Sequence, residues 1–242
     1  MMQSMTRNVQ AGFMVGLLAA CLSVGVAHAA DTAKADTAKA VAPKADTAKA
    51  VPTSVDTSGP SQLIESSANI LLSGIDARRA EFRKDPTGLY ALVEQTLLPH
   101  FDTPYAAQLV LGQHWRNATA EQRKRFVDAF YKSLLYTYGD AMVDFTGDRL
   151  RVLPTKVAPT DERATVRTEI KRSNGAKVGV NYSLRKVNGE WKAWDVIIDG
   201  ISYVKSYRED YGAEVQQKGL DAVITRLEAK AQNAKAAKVK TT

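Results

Sequence analysis

The side chains best suited to acid–base catalysis or metal binding are two aspartates at the end of one predicted strand and a pair of histidines. Asp195 and Asp199 lie four residues apart, which in a strand places both on one face but about 13 Å apart. That is too far for two cooperating carboxyl groups, and a strand-end aspartate can instead accept backbone hydrogen bonds. His100 and His114 flank a predicted helix and are too far apart to share a metal ion. We therefore predict no catalytic residue, no metal site and no cofactor.

Sequence signatures of common enzyme classes are absent as well. The chain has neither a His-Glu-x-x-His zinc-protease motif nor a glycine-rich phosphate loop. Residues 200–204 (GISYV) begin like the nucleophile elbow of hydrolases but lack its last glycine. The single cysteine, Cys21, cannot form an internal disulfide, and no cluster of Cys and His offers a zinc site. These absences leave the apolar faces of the predicted helices and strands as the main features of the domain.

The N-terminus has the pattern of a secretory signal peptide, which we assign to residues 1–29. An uncharged stretch at 11–26 is followed by Ala27-His28-Ala29, small residues at the spacing of a cleavage site. The apolar run of about 16 residues is short for a membrane-spanning helix, which needs about 20. Residues 18–21 (LAAC) also resemble a lipobox, so lipidation of Cys21 stays an alternative. Cleavage after Ala29 would leave a chain without a thiol, which suits an oxidising periplasm.

Composition then divides the mature chain into three parts. Residues 30–60 contain DTAKA three times and few large apolar side chains, so we predict a disordered linker. Residues 231–242 are rich in Lys and Ala and are predicted to be a disordered tail. The remaining 61–230 form the predicted domain. The formal net charge of the chain is +7, but residues 61–229 hold 24 Lys and Arg against 22 Asp and Glu. This near-neutral core argues against nucleic-acid binding.

Apolar periodicity and turn signals place the helices first. A helical spread covers 61–84, and prolines at 86 and 99 bracket a second helix. Thr103-Pro104 marks the start of a third helix. Thr119 and Gln122 form a capping box before a row of aromatic and apolar residues at 126, 130, 134 and 138. Two more helices are predicted at 202–218 and 220–231, separated by Gly219.

Strands are predicted between the two sets of helices. Residues 149–157 alternate weakly, whereas 164–170, 178–184 and 191–198 carry apolar side chains on one face. Residues 173–175 (SNG) and 187–190 (VNGE) are tight-hairpin signals. The order of helices, antiparallel meander and helices predicts an α+β domain, with helices packed on one sheet.

Several segments resemble one family, the MlaC type of bacterial periplasmic phospholipid-binding proteins, also called toluene-tolerance auxiliary proteins. The resemblance runs over about 61–230, with its motifs in order and at consistent spacing. Its segments are 97–102 (LLPHFD), 111–116 (LGQHWR), 118–122 (ATAEQ), 126–130 (FVDAF), 191–196 (WKAWDV) and 199–204 (DGISYV), followed by Tyr207 and Arg208.

The resemblance implies a soluble, monomeric carrier that moves phospholipid between the inner and outer membranes and so maintains outer-membrane lipid asymmetry. It implies docking to an inner-membrane ABC transporter complex with a ring-shaped MCE-type subunit, and to an outer-membrane lipoprotein–porin complex. It also implies acyl chains buried between helices and sheet, with the head group outside. We therefore expect helices packed on an antiparallel, strongly curved β-sheet that encloses an apolar lipid cavity.

The residues expected to line this cavity are apolar or aromatic side chains of the predicted strands and helices. Each could equally belong to an ordinary core. Two other functions stay open: an enzyme for small hydrophobic substrates, which would need a buried carboxylate such as Asp195, and a ligand-free adaptor. The expected lining is Leu72, Ile75, Tyr105, Leu109, Phe130, Leu134, Val166, Ile170, Val178, Val180, Tyr182, Leu184, Trp194, Val196 and Ile198.

Overall fold

The computed structural model describes residues 54–144, 150–171 and 175–239. The predicted signal peptide, Cys21 and most of the predicted linker lie outside the described residues, as do positions 172–174 at the first predicted hairpin. Within the described ranges, the helices are α1 (Pro60–Lys84), α2 (Thr87–Thr96), α3 (Thr103–Leu111), α4 (Gln113–Asn117), α5 (Ala120–Tyr138), α6 (Tyr203–Lys218) and α7 (Leu220–Val239), with 3₁₀ turns at Leu98–His100 and Gly139–Asp144.

The strands form one antiparallel sheet whose spatial order follows the chain. The predicted α+β class, with helices before and after an antiparallel meander, is therefore confirmed. The weakly alternating stretch at 149–157 yields only a three-residue strand, and the short last strand was not predicted. The strands are β1 (Leu150–Val152), β2 (Arg163–Lys171), β3 (Lys177–Val187), β4 (Glu190–Ile198) and β5 (Ile201–Ser202).

Local start and turn signals explain several of these boundaries. Thr119 and Gln122 form the predicted capping box, because the Thr119 side chain accepts from the Gln122 amide at 3.1 Å and the Gln122 side chain accepts from the Thr119 amide at 2.9 Å. The β3–β4 turn has positive φ at Asn188 (52°) and Gly189 (84°), as a two-residue hairpin requires.

Two helix ends differ from the sequence expectation. Asp102, rather than Thr103, caps α3 by accepting from the Tyr105 amide at 3.1 Å, and Pro104 follows within the first turn. Helix α7 continues to Val239 instead of ending near Ala231, because the alanines and lysines of this stretch are strong helix formers.

The buried side chains of the described residues include three packed clusters. One joins α3, α5, α6 and α7 around Phe126, Ile224 and Leu227. A second joins α1, α2 and the end of α5 around Ile75 and Phe82. The third packs the first half of α1 on the sheet. The helices thus hold much of the core among themselves, and only part of the sheet is used for this packing.

Candidate functional site

One face of the sheet carries most of the apolar strand residues. Directly paired residues of antiparallel strands project to the same side of a sheet. The register pairs Val166 with Tyr182 and Tyr182 with Val196, and it pairs Val180 with Ile198. We call this side the apolar face and define it by Val166, Ile170, Val178, Val180, Tyr182, Leu184, Val196 and Ile198. Eight of the nine predicted strand positions therefore lie together.

Helix α1 covers one end of the apolar face. Leu63 and Ile64 belong to the same packed cluster as Val166 and Leu184, together with Trp191 and Ala193 of β4. Val166 and Leu184 are almost wholly buried in this cluster. At this end, the face is ordinary hydrophobic core.

The other end of the apolar face, here called its open end, lies outside the packed clusters. Val178, Val180 and Leu72 are buried, yet none of the three clusters includes them. Ile170, Val196 and Ile198 are half-buried. This end of the face therefore combines buried and half-buried apolar side chains outside the packed clusters, which makes it a candidate surface for an apolar ligand.

Tyr182 lies between these two ends of the apolar face and is half-buried. Burial raises the pKa of its phenol, and a hydrogen bond with Thr168 opposes this effect. The residue nevertheless keeps accessible surface. Tyr182 also packs against the cluster formed by α1 and the sheet.

Trp194 and Tyr105 do not lie on the apolar face. The register shifts between Ser183 and Leu184, and this β-bulge leaves Trp194 without a partner opposite it. The Trp194 ring packs edge-on against Tyr105, with centroids 5.5 Å apart. Tyr105 also lies under the Arg185 guanidinium at 3.9 Å. Because Arg185 follows Leu184 along β3, it projects to the opposite side of the sheet, and Tyr105 and Trp194 lie there with it.

The predicted helix residues divide into two groups. Ile75 packs in the α1–α2 cluster, and Phe130 and Leu134 pack in or against the cluster of α3, α5, α6 and α7. Leu72 is buried outside these clusters, and Leu109 is half-buried on α3. Of the helical positions, Leu72 and Leu109 therefore lie outside the packed clusters, as does Tyr105, which packs on Trp194.

Sequence reasoning missed Ile201, which extends the apolar face at its open end. Ile201 pairs with Ile198 across the β4–β5 turn and is 47% exposed. The turn itself has positive φ at Asp199 (49°) and Gly200 (84°). The Asp-Gly pair after a strand was the available hairpin signal.

The two aspartates accept hydrogen bonds from the backbone and from the start of α6. Asp195 is 4% exposed, and its carboxylate accepts from the Ser202 hydroxyl at 2.6 Å and from the Val204 amide at 3.0 Å. Ser202 in turn accepts from the Lys205 amide. Asp199 accepts from the Gly179 amide at 3.3 Å. The expectation that these strand-end aspartates accept backbone hydrogen bonds is confirmed.

Neither a metal centre nor a membrane span is found in the part of the chain that the structure describes. Those residues contain no group of three or more His, Cys, Asp and Glu side chains placed to hold a metal ion. Burial, together with the charge of Lys192, lowers the pKa of His100, which favours its neutral form. None of the described helices combines the length and apolar character needed to cross a bilayer.

Comparison with known proteins gives a consistent family match. The family model described as "MlaC protein" matches residues 65–229. The toluene tolerance protein Ttg2D of Pseudomonas putida is 29% identical over 163 residues, covering 67% of this chain and 75% of that protein. The intermembrane phospholipid transport system binding protein MlaC of Haemophilus influenzae is 27% identical over 174 residues, covering 71% of this chain and 81% of that protein.

A solved structure shares the fold. It is the phospholipid-binding protein of Ralstonia solanacearum in complex with a phospholipid, with a TM-score of 0.65 and 22% identity, covering 71% of this chain and 96% of the solved chain. The Ralstonia protein therefore shares this fold and, in its solved structure, has a phospholipid bound.

Proposed function

Because the chain belongs to the MlaC protein family, we propose that it is a periplasmic phospholipid carrier and not an enzyme. The observation that carries the proposal is the open end of the apolar face, where Ile170, Val196 and Ile198 keep accessible surface outside the packed clusters. The names of both relatives and the phospholipid bound by the Ralstonia protein support the choice of ligand.

In this proposal, the acyl chains lie against the open end of the apolar face. Val166 and Leu184 form the packed base of this site, and Leu72 closes it from the helix side. Ile75, Phe130 and Leu134 hold the surrounding helices together. The head group stays outside, in water. The strand residues in contact with the acyl chains are Ile170, Val178, Val180, Tyr182, Val196 and Ile198.

The energetics of acyl-chain burial explain why a carrier must enclose its cargo. Two acyl chains of about 30 methylenes would cost on the order of 24 kcal/mol to expose to water, at about 0.8 kcal/mol each. The chains are equally dry in a bilayer, so transfer between bilayer and protein is close to neutral. The carrier therefore does not set the direction of transport, and an energy source or a difference between membranes must do so at the partners.

The partners follow from the family alone. We propose an inner-membrane ABC transporter complex with an MCE-type subunit at one end of the route and an outer-membrane lipoprotein–porin complex at the other, with lipid asymmetry as the result. Cleavage after Ala29 would release the monomeric chain into the periplasm. Lipidation of Cys21 would instead tether it to a membrane by the linker.

The position of Asp195 supports a carrier over an enzyme. The enzyme alternative needs a buried carboxylate that faces the substrate. Asp195 is buried, but its carboxylate already accepts hydrogen bonds from Ser202 and Val204 at the start of α6. These bonds support a structural role.

Photo-crosslinking tests this proposal. The photoreactive amino acid p-benzoylphenylalanine replaces Ile198 on the apolar face or Thr165, which is exposed on the opposite face of β2. Cells that express each variant are labelled with radioactive phosphate and irradiated. We expect a labelled lipid adduct on the periplasmic protein with the probe at position 198 and none with the probe at 165. Equal labelling at both positions, or none at 198, would contradict the proposal.

A further inference from the structure

One buried hydroxyl of helix α1 is left without a hydrogen bond. Ser67 is 6% exposed, and its Oγ has no hydrogen-bond partner among the described residues. A buried hydroxyl that has lost its bonds to water, and has gained none within the protein, costs free energy. Most buried polar groups of native proteins are paired for this reason. The packing of α1 alone therefore does not account for a serine at this position.

Other buried hydroxyls close to Ser67 are paired within the protein. Ser66, which is also 6% exposed, donates to the Gln62 carbonyl at 2.7 Å and accepts from the Asp56 amide at 2.9 Å. On the side of the sheet that carries the apolar face, the Thr168 hydroxyl donates to a backbone carbonyl of β3 at 2.8 Å. Ser67 therefore differs from its neighbours in having a donor to spare.

Ser67 lies on the stripe of α1 that faces the sheet. Residues three and four positions apart share one side of a helix, and Ser67 follows Ile64 by three positions and Leu63 by four. Both belong to the packed cluster that contains Val166 and Leu184. The side chain of Ser67 therefore lies one helical turn beyond this cluster, on the same side of α1.

The direction of α1 places that turn on the side of the cluster nearer to the open end. Pro60, at the start of α1, lines the same surface groove as Gly189 of the β3–β4 turn, so α1 begins near that turn. The open end of the apolar face is formed by the opposite ends of β3 and β4. Helix α1 thus crosses the packed cluster first and reaches Ser67 afterwards, at the border of the proposed cargo site.

We propose that the Ser67 hydroxyl donates a hydrogen bond to the ester carbonyl oxygen of an acyl chain of the bound lipid. The inference rests on the proposed carrier function and names the part of the cargo that is recognised. An ester carbonyl is an uncharged acceptor at the start of each acyl chain, so it can enter an apolar site together with the chain. A phosphate does not suit this position, because Ile64 and Leu71 on the same stripe are apolar and would leave a buried charge unpaired.

The hydroxyl is reached from the cargo site and not from the surface. Its oxygen has almost no accessible surface, so the lipid reaches it by entering between α1 and the sheet beyond the packed cluster. The carbonyl oxygen then supplies the partner that the protein itself does not provide. Ser67 would thereby make the site selective for ester-linked chains, which purely apolar contacts cannot distinguish from ether-linked chains of the same length.

Competition between diester and diether phospholipids tests the role of Ser67. The delipidated mature chain is mixed with equal amounts of phosphatidylglycerol carrying ester-linked or ether-linked chains of the same length, and native mass spectrometry counts the bound lipids. We expect wild type to take up about fivefold more of the diester lipid, since the diether lipid lacks the carbonyl acceptor and one neutral hydrogen bond contributes about that factor. Ser67→Ala should take up both lipids equally.

Ser66→Ala is the matched control, because it removes a buried hydroxyl from the same turn whose bonds stay within the protein. It should keep the preference for the diester lipid and lower the melting temperature of the delipidated protein. Ser67→Ala should not lower that melting temperature, because it removes an unpaired buried donor.

Three results would overturn the proposal. These are equal uptake of both lipids by wild type, an unchanged diester preference in Ser67→Ala, and a delipidated Ser67→Ala protein that melts well below delipidated wild type, which would assign the hydroxyl to the fold. A wild-type protein that takes up neither lipid would contradict the carrier function itself, and this inference with it, so the two failures are distinguishable.

Discussion

Val180 shows how strand register decides the surroundings of a single side chain. Its partners are Thr168 on β2 and Ile198 on β4, and the Thr168 hydroxyl donates to the Val180 carbonyl at 2.8 Å. The side chain is 4% exposed, but it lies outside the packed clusters. The same residue can therefore be core or ligand contact, and a substitution can distinguish the two.

Val180→Glu should abolish phospholipid binding. An ionised carboxylate among acyl chains would lack a partner, and burying it costs several kcal/mol even after its pKa rises. If the face lines a cavity, water can enter the empty protein and solvate the new carboxylate. The delipidated variant should then melt close to delipidated wild type, as measured by circular dichroism.

Thr165→Glu is the matched control for this experiment, because Thr165 is exposed on the opposite face of the same sheet. It should keep both bound lipid and wild-type melting. A Val180→Glu protein that is unfolded at room temperature, even without lipid, would assign Val180 to solid core and contradict the cavity at this position.

At the scale of elements, the junction between the sheet and α6 depends on one buried carboxylate. Asp195 on β4 accepts from Ser202 and from the amide of Val204 in the first turn of α6. The Val204 amide, in the first turn, has no partner within the helix. The carboxylate also interacts favourably with the positive end of the helix dipole. The strand thereby fixes where α6 begins.

Asp195→Ala should lower the free energy of unfolding by about 1–3 kcal/mol, because it leaves the partly buried donors of Ser202 and Val204 unpaired, while the folded variant should keep its bound phospholipid. Denaturant unfolding and lipid quantification measure the two effects. The matched substitution Asp199→Ala, at an exposed turn, should cost less. Unchanged stability together with complete loss of lipid would contradict the structural role of Asp195.

Sequence could predict those elements whose signals are local. The Asn188-Gly189 turn and the Thr119 capping box depend on a few neighbouring residues, and both are confirmed. Trp194 was misplaced because strict alternation assumes a regular strand, and the β-bulge at Ser183 and Leu184 adds a residue to β4. A bulge depends on how one strand pairs with another, so it cannot be predicted from the periodicity of a single strand.

The candidate site was predictable only in part for a related reason. The alternating pattern of β2 and β3 placed Val166, Val178 and Val180 correctly on one face. The helical period that selected Ile75, Phe130 and Leu134 reports only that one side of a helix is apolar. Whether that side meets another helix or the sheet depends on the tertiary fold, and here these three residues are in helix clusters.

At the scale of the whole molecule, structural packing and the proposed cargo site occupy different places. The helical clusters and the α1 end of the sheet are filled by the protein's own side chains, whereas the other end of the apolar face is outside them. Removal of a ligand should therefore leave a folded protein that has lost only the stabilisation due to binding. This division lets a carrier release its cargo without unfolding.

The central claim is that the mature chain carries a phospholipid, and native mass spectrometry of protein purified from the periplasm without detergent tests it most directly. The account predicts a chain that begins at Ala30 with an added mass of one phospholipid, which collisional activation releases. Acyl chains buried against the apolar face should survive purification because their exposure to water is so costly. A folded protein found only at the mass of the bare chain would contradict the claim.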